Sequence, residues 1–167
     1  MNDLVFLSAS QLASSIRDRT VSSIEVLEAH FARIALHNSK LNAIITLDTE
    51  NAYQRAFEAD EALARGEIWG DLHGVPITIK DSLETKGLRT TSSYEPLANY
   101  VPTQDATIVA KLRAAGAIIL GKTNLPKLTG DFQTNSPLFG RTNNPWNLEY
   151  TPGGSTGGGA AAVATGL

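Results

Sequence analysis

The stretch "DATIVAKLRAAGAIILGKTN" (105–124) constrains the fold more than any other part of the chain. Its first half predicts a helix capped by Asp105 and stopped at Gly116, where glycine takes the left-handed conformation that ends helices. The apolar run "AIIL" (117–120) follows at once and predicts a strand. A strand apolar at every position has no face to give to water, so it belongs in a sheet covered on both sides. A helix leading directly into such a strand argues for an α/β layer fold.

The N-terminal third reads as helical. Ser8 with Gln11 fits a capping box opening a helix through Arg17, and Ser22 with Glu25 repeats it. In the second of these helices Ile24, Leu27, Phe31 and Ile34 form one apolar stripe. "LNAIITL" (41–47) reads as extended, and 50–65 as a third helix stopped by Gly66. From there the style changes: "GVPITIKDS" (74–82) is a β-branched run ending in Lys80 and Asp81. Between 121 and 153 no period is sustained, and loops of that length tend to carry function or wrap a core. The expected organisation is a helical segment, 1–66, packed on the first part of an α/β core, 67–167.

Charge and composition narrow the function. The net charge is −3 with no basic run, which argues against a dedicated nucleic-acid or membrane-surface binder. There is no cysteine, so disulfides and thiolate metal sites are out. His30, His37 and His73 are far apart in sequence and read as packing or surface residues, leaving no expected metal or cofactor. Neither a secretion signal nor a window long and apolar enough for a membrane span is visible, so the cytoplasm is the expected location.

One feature looks functional: "TPGGSTGGGAAAVATGL" holds five glycines between 153 and 159, with Ser155 and Thr156 among them. So many glycines imply backbone geometry or close approach that side chains would forbid. Residues 153–157 satisfy G-x-S-x-G, yet no Asp, Glu or His follows Ser155, and the nucleophile-elbow reading fails on that context. A phosphate cradle would need the lysine of a P-loop or the spacing of a dinucleotide fingerprint, and neither is present.

"GVPITIKD", "DATIVAKLRAAGAIILGKTN", "LFGRTNNPW" and the glycine segment together resemble the amidase signature family of serine hydrolases. The likeness begins at "LSASQLASSIRDRTVSSIEVLEAHFARI" and runs almost end to end. It implies a mixed sheet flanked by helices and hydrolysis of linear amides through an acyl-enzyme by a serine–serine–lysine triad, with no cofactor. Lys80 matches the family's lysine base. Ser155 matches the relay serine, held on a cis peptide bond within the loop Gly153, Gly154, Thr156 and Gly157. The family's nucleophile and its oxyanion-hole donors lie about two dozen residues further on, past Leu167. The chain is therefore expected to be an incomplete N-terminal portion, inactive alone, whose partners are the rest of the same enzyme and a small amide. A homodimer is open for the full-length form.

Physical chemistry bears on Lys80 independently. A lysine with a solution pKa of about 10.4 is a poor base at neutral pH, and burial at a strand end lowers that value. Against this, Asp81 next door could hold the charge, or the side chain could simply reach solvent. Ser92, Ser93 and Ser136 read as turn residues rather than substitute nucleophiles. Thr156 departs mildly from the family's commoner serine. Ser93-Tyr94 and Lys127 depart outside the triad, with Lys127 expected at the surface. Outside catalysis, the alternative is a non-catalytic remnant; within the family, the glutaminase-type subunit that feeds ammonia to mischarged tRNA is the rival. "ETKGLRTT" leans toward it, and the lack of its Met-Asp-Glu phrase after "KTN" leans away.

Overall fold

The computed structural model describes residues 4–167. Helices α1 (Ala9–Arg17) and α2 (Ser23–Leu41) both start at complete capping boxes. Ser8 Oγ accepts the Gln11 N–H while Gln11 Oε1 accepts the Ser8 N–H, and Ser22 and Glu25 repeat the exchange. Each box satisfies N–H groups that a first helical turn leaves unpaired, and losing such a cap costs about 1 kcal/mol. Strand β1 (Ile44–Leu47) and helix α3 (Thr49–Ala64) follow, with Gly66 at φ +82° just past the end of α3, as expected.

The second part carries β2 (Pro76–Lys80), α4 (Thr107–Ala114), β3 (Ile118–Thr123), a small hairpin of β4 (Asn135–Ser136) and β5 (Gly140–Arg141), and α5 (Gly157–Thr165). Asp105 does not cap α4. Ala106 holds the N-cap position, and the Asp105 carboxylate instead accepts the Lys86 N–H at 2.7 Å and pairs with Arg113 at 3.0 Å. Partners distant along the chain drew the carboxylate away from the helix end beside it.

The sheet is mixed, in the order β1-β3-β2, with β1 antiparallel and β2 parallel to the central β3. Every residue of β3 is buried, which matches a strand covered on both sides. Ile118 and Leu120 pack with Leu27 and Ile34 of α2, Ala52 and Ala56 of α3, and Ala161 and Ala162 of α5. Ile119 packs on the other side with Ile79, Leu88 and Val109, the last from α4. A third cluster joins Leu12 and Ile16 of α1 to Val26, Leu63 and Val75. Helices flank the sheet, and the end of β2 is left pointing at the loop that opens α5.

Candidate active site

β2 and the loop before α5 meet at one pair of side chains. Lys80 is the last residue of β2, paired across the ladder with Thr123 of β3. Its Nζ lies 2.7 Å from Ser155 Oγ and 3.0 Å from Thr156 Oγ1. Two residues far apart in sequence are thus in direct hydrogen-bond contact, both half-buried, while Thr156 is exposed. The Gly154–Ser155 peptide is cis, as the resemblance implies.

Close backbone approach accounts for the glycines on either side. A Cβ on Gly154 would sit 2.9 Å from the Asp131 carbonyl oxygen and 3.0 Å from the Phe132 carbonyl carbon. A Cβ on Gly158 would meet three backbone atoms of Asn124 and Ala43 at 2.5–2.7 Å, so α5 lies against the end of β3 only because that side chain is absent. Thr134, which sequence reasoning missed, clamps the loop. Its Oγ1 donates to the Gly153 carbonyl at 2.7 Å and accepts the Gly157 N–H at 3.1 Å. The Gly158 N–H is bonded to the Asn124 carbonyl. Two N–H groups of this helix start, those of Gly157 and Gly158, are thus committed inside the fold.

The surroundings of Lys80 shift it toward the neutral amine. Among the described residues its Nζ is hydrogen-bonded to the two hydroxyls and paired with no carboxylate. Burial lowers its pKa from the ordinary lysine value. The positive end of the α5 dipole, which begins one residue past Thr156, acts in the same direction.

Asp81 is not the counter-ion of Lys80. Its Oδ2 accepts the Thr91 N–H at 2.9 Å and the Thr91 hydroxyl at 2.6 Å. Its Oδ1 faces the ammonium of Lys122, 3.4 Å away, and both side chains are at most 1% exposed. Lys122 donates further to Thr90 Oγ1 at 2.6 Å and to the Leu83 carbonyl at 2.9 Å. Burial pushes this second lysine down to about 8, with the Asp81 carboxylate opposing. Sequence reasoning missed it, because its partners are assembled by strand pairing.

The other serines are structural. Ser93 is buried and donates to Ser136 Oγ, which also accepts the N–H groups of Leu138 and Phe139. The Ser92 N–H donates to the Asp81 carbonyl. Lys127 lies at the surface, paired with Glu95 at 3.0 Å. His73 is a packing residue, its Nδ1 accepting the Trp69 N–H while Nε2 faces the Ala59 carbonyl. No group of three His, Asp or Glu side chains converges among the described residues.

A lysine without a counter-ion, bonded to a serine hydroxyl beside a glycine-lined helix start, can pass protons to and from that hydroxyl. The family model for amidases matches residues 25–167. Over 98% of its length the chain is 46% identical to a glutamyl-tRNA(Gln) amidotransferase subunit of Carboxydothermus hydrogenoformans, covering 34% of that protein. Its fold superposes on fatty acid amide hydrolase with a TM-score of 0.93 at 28% identity, covering 99% of this chain and 30% of the other. It superposes on the peptide amidase of Stenotrophomonas maltophilia with a TM-score of 0.87 at 32% identity, covering 94% and 34%. The chain thus spans about a third of the length of the relatives it matches. It belongs to the amidase family.

Proposed function

We propose that this chain supplies the base and the proton relay of an amidase that cleaves carbon–nitrogen bonds through an acyl-enzyme. The 2.7 Å contact between Lys80 Nζ and Ser155 Oγ carries the reading. Neutral Lys80 takes the proton of the Ser155 hydroxyl as Ser155 takes that of a nucleophilic serine, whose oxygen then adds to the amide carbon. When the tetrahedral adduct collapses, the proton returns through Ser155 to the departing nitrogen, and an amine or ammonia leaves. Water, deprotonated along the same path, releases the carboxylate. The nucleophile belongs to the segment expected about two dozen residues beyond Ser155, with the donors that hold the oxyanion.

The test is turnover of a simple aryl amide by the polypeptide that continues this sequence. Lys80→Ala is expected to lower kcat by about 1,000-fold or more with the fold retained. Undiminished turnover in that variant overturns the reading. The chain 1–167 alone is expected to hydrolyse nothing above background.

A second reading has one specific observation in its favour. The relative at 46% identity is named as an amidotransferase component, whereas the solved amidases compared above are 28% and 32% identical. On that reading the amide is the side chain of glutamine and the ammonia passes to another polypeptide. Leu125, Pro126 and Lys127, standing where the rival's Met-Asp-Glu phrase is expected, count against it. Glutamine-dependent ammonia release, together with copurifying partner polypeptides, would select it over the simple amidase.

A further inference from the structure

The β2–β3 ladder brings two lysines to adjacent positions: Lys80 pairs with Thr123, and Lys122 with Ile79. They leave the sheet on opposite sides. Lys80 reaches the loop before α5, whereas Lys122 reaches Leu83, Thr90 and Asp81 on the side packed against α4. Asp81 directly follows Lys80 in the chain, and its Oδ1 accepts no hydrogen bond. The Lys122 charge, 3.4 Å away, is therefore what balances it. The same residue fastens the strand end, its N–H donating to the Thr123 carbonyl and its carbonyl accepting the Ser92 N–H.

A carboxylate left unbalanced in the interior stabilises any ammonium near it. Next to Lys80, that would hold the amine protonated and remove it as a base. We propose that Lys122 is a positioning residue for Lys80: by neutralising Asp81 on the far side of the sheet, it leaves Lys80 without a stabilising counter-charge and keeps the end of β2 aimed at Ser155.

The groups facing each lysine are few. Lys80 meets the Ser155 and Thr156 hydroxyls from the loop, Thr123 across the ladder, the positive end of α5, and the Asp81 charge through its own backbone. Lys122 meets Asp81 and Thr90, and more remotely Asp105 from the segment before α4. The inference rests on the reading of Lys80 as the base.

The experiment is an NMR titration of the lysine Cε signals in the full chain, with Lys80 assigned by substitution. In Lys122→Met the Lys80 midpoint is expected to rise by about half a pH unit or more, a roughly threefold loss of neutral amine at fixed pH. In Lys122→Met/Asp81→Asn, which removes both charges, it is expected to return to the wild-type value. An unmoved midpoint in a folded Lys122→Met chain overturns the proposal. Should Lys122→Met not fold, the double variant decides: a wild-type midpoint supports the proposal, and a displaced one overturns it. Failure of both variants to fold assigns the pair to folding alone and also overturns it. Wild-type Lys80 titrating like free lysine would instead defeat the base reading itself, so the two failures are distinguishable.

Discussion

Lys80 and Lys122 occupy neighbouring rungs of one sheet and are treated in opposite ways. Lys122 is fully buried, ion-paired and bonded to a hydroxyl and a carbonyl. Lys80 is half-buried and is offered two hydroxyls and no carboxylate. Burial depresses both pKa values, and both amines reach a hydroxyl, but only Lys122 also faces a carboxylate. Burial alone therefore does not separate the two lysines. The carboxylate does: Asp81 ties down Lys122, and no such partner faces Lys80.

The largest effect that would sharpen this contrast is on stability. Lys122→Ala leaves the Asp81 carboxylate buried without its counter-charge and is expected to cost about 3–5 kcal/mol in urea unfolding. Lys80→Ala, which breaks only contacts to hydroxyls at a half-buried position, is expected to cost about 1 kcal/mol or less. Equal losses would erase the distinction. Next comes Gly158→Ala, whose added methyl would press on Asn124 and Ala43 backbone; about 1–3 kcal/mol of stability should go, and the Lys80–Ser155 contact should lengthen. Thermal unfolding and the Lys80 Cε shift read the two consequences.

A smaller, pH-dependent effect follows from Lys122. Its folded pKa of about 8 lies below the value of about 10.4 in an unfolded chain. Between those values the unfolded state binds more protons, so stability rises with pH through that window; below it both states are protonated and the cost of burying the charge is fully present. Unfolding curves at stepped pH should show a steeper rise in the wild type than in Lys122→Met/Asp81→Asn, where only the Lys80 contribution is left. The smallest effect is expected at Thr156→Ser, which keeps the hydroxyl 3.0 Å from Lys80: on the proposed function, turnover by a longer polypeptide carrying this sequence should stay within about twofold.

What was legible in the sequence is what local chemistry decides. The two capping boxes need only residues three apart, and both formed. The all-apolar run at 117–120 announced a doubly covered strand, and Gly66 and Gly116 ended their helices with positive φ. Lys80 and Ser155 emerged from the resemblance together with the strand-end argument, and the structure brings them into contact. Where partners come from elsewhere in the chain, the reading failed. Asp105 looked like a helix cap because the competing Lys86 N–H and Arg113 are not its neighbours. Lys122 and Thr134 carried no signal, since the groups that define them, Asp81 and the glycine loop, are supplied by strand pairing and loop return. The hairpin of β4 and β5 lay hidden in a stretch whose composition suggested only loop.

The most direct test of the account places both lysines in one NMR sample and follows their Cε signals with pH. Lys80 is expected to lose its proton clearly below the value of about 10.4 for free lysine, and its midpoint should move when Ser155 is replaced by alanine. A Lys80 that titrates at or above the free-lysine value, indifferent to Ser155, would contradict the claim that the end of β2 presents a neutral amine to a serine hydroxyl.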